Sequence, residues 1–179
     1  TARGAIEGNP TLDRERSRSI EAGVVGVIDL LTVSLNAYRT DVSDYIERYT
    51  IDADRRSYRN LAEGSIEGYE LKLDYRPSVK WRHNVSYQYQ TGHDTGENKR
   101  LADLNPPGWR YLGAYQGAAF SASFDVLRRQ QRSWFGPGEV RLDAATVINL
   151  GVSWKVSAQW QWGLACLNCT DQLFFATAD

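Results

Sequence analysis

Methionine is absent from all 179 residues, so the chain does not begin where translation would, and a longer parent is expected. No signal peptide opens it. Long apolar runs are missing too: the longest, residues 22–28, is far short of the ~20 residues a spanning helix needs, which excludes a helical membrane protein. Net charge is only −1, so nothing global argues for nucleic acid or for an acidic membrane surface. Cysteine is confined to Cys166 and Cys169. There is no second pair for structural zinc and no strand–helix context for a thioredoxin-like motif. Residues three apart in a strand point to opposite faces, so two unrelated small apolar residues are expected rather than a bridge or a metal clamp. His83 and His93 lack a third partner at metal-ligand spacing. No constellation supports an enzyme, a cofactor or a resident metal. Asp41 with Asp44, and Asp52 with Asp54, could bind Ca²⁺ in loops, but turn-making and hydration explain them more cheaply.

What the chain has is a rhythm. Tight turns are expected at residues 28–30, 76–79, 117–118 and 157–158, and longer polar connections at 51–58, 91–108 and 128–139. Between them apolar and polar residues alternate with the period of a strand. Ile20, Ala22, Val24 and Ile28 share one face; Leu31, Val33, Leu35 and Ala37 another; then Tyr69, Leu71, Leu73 and Tyr75. Trp81, Val85, Tyr87 and Tyr89 oppose Arg82, Asn84, Ser86, Gln88 and Gln90, and the same alternation recurs in residues 120–126, 142–155 and 159–164. Eight long strands joined short, long, short, long make an antiparallel meander with one flush and one ragged edge. Outer-membrane barrels have that form, with short periplasmic turns and long outer loops. A mean hydropathy of −0.50 is no obstacle, because lipid-facing and lumen-facing residues alternate. Tyr75 and Trp81 flank the second short turn and Trp154 and Trp160 the fourth, all on the apolar parity, as a membrane-interface girdle requires.

Four local patterns carry a family resemblance. Residues 6–12, followed by Glu15 and residues 17–23, fit "N-P-x-L-x-x-E-x-S-x-S-x-E-x-G"; residues 35–47 fit "S-x-Y-x-T-D-x-x-D-x-I". Residues 60–70 fit "N-x-x-x-G-x-I-x-G-x-E", and residues 164–174 "L-x-V-x-N-L-x-D-x-x-Y", with Cys169 for the usual Leu and Phe174 for Tyr. Their order and spacing resemble the TonB-dependent receptors of the Gram-negative outer membrane. The resemblance implies an all-β fold: residues 1–179 as the C-terminal portion of an antiparallel up-and-down transmembrane barrel of the 22-strand type, without plug or last strand. It further implies uptake of a large scarce nutrient, a ferric siderophore or other metal chelate, with coupling to the TonB complex through the missing N-terminal region.

Ligand contact is expected from the long loops and upper lumen. The candidates are Arg55 and Arg56, the cluster Arg128, Arg129 and Arg132, and the aromatic rings of Trp109 and Trp134. The competing role for these arginines is contact with lipopolysaccharide phosphates, alongside outer-membrane lipid, or plain solvation. Two other architectures stand beside the receptor: a passive porin or small closed eight-stranded barrel, and a soluble β-sandwich binding module.

Overall fold

The alternation just described resolves into strands in the computed structural model, which describes residues 5–52, 54–96, 99–101, 104–132 and 141–173. The elements are β1 (Ala5–Ile6), β2 (Arg16–Ile28), β3 (Leu31–Thr50), β4 (Arg55–Ser78), β5 (Trp81–Asp94), β6 (Gly108–Gln116), β7 (Phe120–Arg129), β8 (Ala145–Lys155) and β9 (Gln161–Cys166). Strands β2 to β9 pair in sequence order as one antiparallel meander. The four tight turns fall where the sequence puts them. At the first, Asp29 takes the left-handed conformation (φ 50°), which a short polar side chain tolerates. At the second, a register shift between Tyr75 and Ser78 accommodates Pro77, whose missing N–H cannot serve a ladder.

The register aligns the apolar residues of neighbouring strands into continuous rows. One row runs Val24–Leu35–Leu71–Tyr87, the next Gly26–Val33–Leu73–Val85–Tyr111–Val126–Ile148. These side chains are not buried by the protein. Among the described residues the buried hydrophobics are Val42, Leu101, Leu104, Leu142 and Ala145, all at the long-loop end. Val24, Leu35, Leu150, Val152, Trp154 and Leu164 stand exposed. A soluble sandwich would enclose that face, so this arrangement has no sandwich core. From Ile20 to Ile28 the outward band spans about 26 Å along the strand, or about 20 Å of height at a tilt of ~40°, most of the ~25 Å apolar belt of an outer-membrane barrel.

The sheet is an open arc. Strands β2 and β9 do not pair with each other, and every residue of both is exposed. The described residues therefore form no small closed eight-stranded barrel. Open edges are intolerable in lipid, so the arc requires further strands at both sides.

Two expectations are corrected. The first long connection is short: β3 and β4 continue to Thr50 and Arg55, leaving residues 51–54 as the loop. Residues 39–50 pair with 56–67 in one register on either side of Asp44, which turns left-handed (φ 56°), so the hairpin extends about 36 Å along the strand beyond the apolar band. Beside the main-chain ladder, buried Val42 and the ion pair of Arg59 with buried Glu47 at 3.0 Å hold this extension. The cysteines are also joined, as a disulfide between Cys166 and Cys169 with Cα atoms 5.6 Å apart. The strand ends at Cys166, and Asn168 turns left-handed (φ 50°), so the opposite-face argument does not apply beyond that point. Cys169 N–H then donates to Ile148 O at 2.8 Å and rejoins the ladder.

Candidate ligand-facing surface at the loop end

The face opposite the apolar rows is a wall of polar side chains that satisfy one another across strands. Arg110 donates from Nε and Nη2 to the two carboxylate oxygens of Asp125, at 2.7 and 2.9 Å, and Asn149 Nδ2 donates to the same carboxylate at 3.1 Å. Asp74 accepts from Arg76, Arg82 and Asn84 near the short-turn edge. Tyr38 lies flat over Gly68, its cross-strand partner, and donates its hydroxyl to Gln90 at 3.1 Å. A Cβ on Gly68 would sit 2.5 Å from that ring, so the glycine is required by the tyrosine.

Over the upper part of this wall the chain after β5 folds back. Leu101 is fully buried and packs against Gly64 and Gly92, and Leu104 also meets Gly92, all on the polar parity of their strands. Leu101 N–H donates to Gly92 O at 3.1 Å. Arg132, 2 % exposed, donates Nη1 to Leu104 O, and its own N–H reaches Leu142 O. Arg129 is also buried and donates Nη2 to Asp143 O at 2.9 Å. Burial pushes the Arg129 guanidinium below its ordinary pKa, with Asp143 opposing the change. Beneath this shelf lies a cavity of about 400 Å³, lined by Glu70, Lys72, Ser86, Gln88, Asn105 and Arg110 together with Pro106, Leu127 and three of the ligand candidates, Trp109, Arg128 and Arg129. Glu70 and Lys72 form an ion pair at 2.9 Å within it. It therefore offers both charges and several amides to a polar guest.

The candidate ligand residues divide: Trp109, Arg128 and Arg129 border one cavity, while Arg55, Arg56 and Arg132 lie elsewhere. Arg129 and Arg132 face inward and hold the loops. Arg55, at the tip of the β3–β4 hairpin, is exposed and bonded to Asp52 (2.8 Å) and Glu7 (3.2 Å). Those carboxylates raise its pKa, while the Asp54 amide and the Arg55 guanidinium lower that of Asp52. Arg56 pairs with Ile6 in the parallel β1–β4 ladder. Trp109 and Arg128 oppose each other in the outward row above Tyr111 and Val126, where Arg128 Nη1 donates to Thr146 Oγ1 at 2.6 Å. Trp134 lies outside the described residues. The inward wall residues Glu70, Lys72, Gln88 and Arg110 were not singled out individually in the sequence, although their parity opposite the apolar rows identifies them.

The outward aromatics form two rows. Tyr75, Trp81, Tyr115, Phe120, Trp154 and Trp162 lie beside the short turns, with Trp81–Tyr115 centroids 4.9 Å apart. Trp160 sits in the last turn, its carbonyl accepting from Val156. A second row, Tyr69, Tyr87, Tyr89 and Trp109, lies toward the loops, with Tyr69 and Tyr89 stacked at 5.3 Å. Two girdles bounding one apolar band is the interface pattern of a transmembrane barrel.

Comparison with known proteins agrees. Residues 1–169 match the family model described as TonB dependent receptor-like, beta-barrel. The vitamin B12 transporter BtuB of Photobacterium profundum is 25% identical over 154 residues, covering 84% of this chain and 25% of that protein. BtuB of Vibrio vulnificus is 23% identical over 168 residues, 92% of this chain and 27% of that protein. Among solved structures, the copper transporter OprC superposes with a TM-score of 0.78 at 17% identity, over 90% of this chain and 26% of its own. The ferric enterobactin receptor PfeA of Pseudomonas aeruginosa gives 0.70 at 18% identity, over 96% and 28%. The chain thus spans about a quarter of the length of the relatives it matches.

Proposed function

The chain belongs to the TonB-dependent receptor-like β-barrel family, and we propose that it forms part of the barrel wall of an outer-membrane receptor that imports a large, scarce nutrient into a Gram-negative cell. The cargo is a ferric siderophore or another metal chelate. The observation that carries this is the pairing of an exposed outward apolar band with a charged inward wall roofed by a folded loop. An imported chelate is polar and large, and it would meet the hairpin arginines Arg55 and Arg56 first. It would then meet the inward charges Glu70, Lys72 and Arg110. Arg129 and Arg132 act by holding the shelf in place. Uptake draws on the TonB complex of the inner membrane.

The test is accumulation of radiolabelled ferric, cobalt-corrin and copper chelates by cells expressing the intact protein, with and without a functional TonB complex. The proposal expects one class to accumulate only when TonB is functional. Uptake of small solutes independent of TonB would point to a passive porin instead, and no accumulation of any class would refute import of a metal chelate.

A further inference from the structure

The β3–β4 hairpin leaves the sheet at a single level. Strand β2 reaches β3 no higher than Ser43, and β5 reaches β4 no higher than Gly64, so from Tyr45 upward the hairpin is a two-stranded ribbon. Such a ribbon is marginal in water by itself. Asp44 is the first residue of β3 beyond both neighbours, and its φ of 56° is the only positive φ of a non-glycine residue within a strand among the described residues. At that bend sits the Asn60 amide. Its Nδ2 donates to Asp44 O at 2.6 Å and to Asp13 O at 3.1 Å, and its Oδ1 accepts from Asp13 N–H at 2.8 Å. On the other strand, Glu15 Oε2 accepts from Ile46 N–H at 3.1 Å. Above this junction the segment before β2 runs up beside the ribbon. Asn9 Nδ2 donates to Tyr58 O, Ser57 Oγ to Glu7 O, and Glu7 N–H to Arg56 O, with the β1 pairing at the tip. Three of the four sequence patterns thus meet at one point, through Glu15, through Asp44 and Ile46, and through Asn60.

We propose that Asn60 is a positioning residue: its amide fixes the angle of the ribbon at Asp44 and so sets where Arg55 and Arg56 stand over the mouth of the barrel. A ribbon pivots where its neighbours end and its backbone departs from the strand conformation, and both happen at Asp44. From there to Ile51 at the tip is about 23 Å along the strand. A swing of about 10° at the pivot would move the tip by about 4 Å, more than the length of a hydrogen bond. An amide suits the junction because one planar group carries donors for two carbonyls and an acceptor for one N–H. A carboxylate would set its oxygens against the Asp13 and Asp44 carbonyls, and an apolar side chain would leave all three main-chain groups to water. The fastenings at Asn9 and Glu7 lie beyond the pivot, so they stiffen the ribbon without setting its angle. This inference rests on the reading of Arg55 and Arg56 as the first contacts of the cargo.

The experiment measures distances between two nitroxides by pulsed electron resonance in the intact protein in lipid vesicles. One label is carried by Thr50→Cys at the tip and the other by Gln88→Cys in the barrel wall; Cys166 and Cys169, joined to each other, take no label. The expected result is one narrow distance distribution with Asn60 in place. In Asn60→Leu the mean should move by about 4 Å or the distribution should widen by as much, with insertion into vesicles unimpaired. Asn60→Asp, which keeps the size and the acceptor, should act in the same direction by a smaller amount, and Asn9→Leu should leave the mean where it is. The half-saturating concentration of whichever ferric, cobalt-corrin or copper chelate accumulates in the uptake test should rise about tenfold in Asn60→Leu at unchanged maximal rate. Two results overturn the proposal: unchanged distances in both Asn60 variants, or an equal change in Asn9→Leu, which would spread the fixing of the angle over the whole segment. A displaced tip with unchanged half-saturation would strike instead at the role of Arg55 and Arg56 in meeting cargo, and is seen separately because the distances are read without cargo.

Discussion

Leu35 and Asn36 are neighbours in β3, and one carbon–carbon bond direction separates lipid from lumen. Leu35 lies in the outward row Val24–Leu35–Leu71–Tyr87, and Asn36 in the inward row Gly23–Asn36–Glu70–Gln88. Leu35 is four residues, about 13 Å along the strand, from both the turn-side Leu31 and the boundary residue Arg39, which puts it near the middle of the band. An arginine there must bring its charge to the bilayer centre, costing about 2–4 kcal/mol. That is roughly a 30- to 700-fold shift in the folding equilibrium. At Asn36 the new guanidinium would face Glu21 and Glu70 in a hydrated lumen, and the cost should be about 0–1 kcal/mol. Leu35 is 45% exposed, so on a soluble protein Leu35→Arg would change stability by no more than about 0.5 kcal/mol. The assay is equilibrium folding of the intact protein into lipid vesicles across a denaturant series, with the midpoint compared at constant m. If Leu35→Arg is as stable as the parent, or Asn36→Arg costs as much, the assignment of faces is wrong.

Gly68→Ala should destabilise by about 1–3 kcal/mol, because the new methyl displaces the Tyr38 ring and its hydrogen bond to Gln90. The penalty should largely vanish in a Tyr38→Ala background, a double-mutant cycle read by thermal unfolding; an unchanged penalty would remove the ring from the explanation. Alkylation of the denatured, unreduced protein should modify neither Cys166 nor Cys169, and should modify both after reduction. Replacing the pair with serine should cost at most about 2 kcal/mol for so short a loop, and rapid alkylation without reductant would contradict the pairing.

The parts of this fold that could be seen in the sequence are those where one side chain in two must be apolar. Strands such as Trp81–Asp94 and the turns at Asp29 and Pro77 declare themselves because alternation and turn chemistry are local properties. The tip of the β3–β4 hairpin does not: a polar connection is read at residues 51–58, whereas β4 already begins at Arg55. The segment before β2 was equally hidden. Its parallel pairing with β4 at Arg55 and Arg56, and the Asn60 side chain that bonds to Asp13 and Asp44, depend on contacts distant in sequence, nearly fifty residues apart for β1 and Asp13. In the candidate site, residue type suggested arginine clusters as ligand contacts. Only the fold divides them into outward Arg128, inward and buried Arg129 and Arg132, and the ion-paired Arg55 at a hairpin tip. The loop-side row was not read from the sequence, although Tyr69 and Tyr75 share the outward parity of β4, about 20 Å apart along the strand.

The most direct test of the account is a nitroxide scan of β5 in the membrane-embedded protein, one label at a time from Asn84 to Gln90. The account predicts that collisions with oxygen, which concentrates in lipid, peak at positions 85, 87 and 89. Collisions with a water-soluble nickel complex should peak at 84, 86, 88 and 90. A profile without two-residue periodicity, or with the two reagents exchanged, would contradict a barrel wall that turns its apolar rows to lipid.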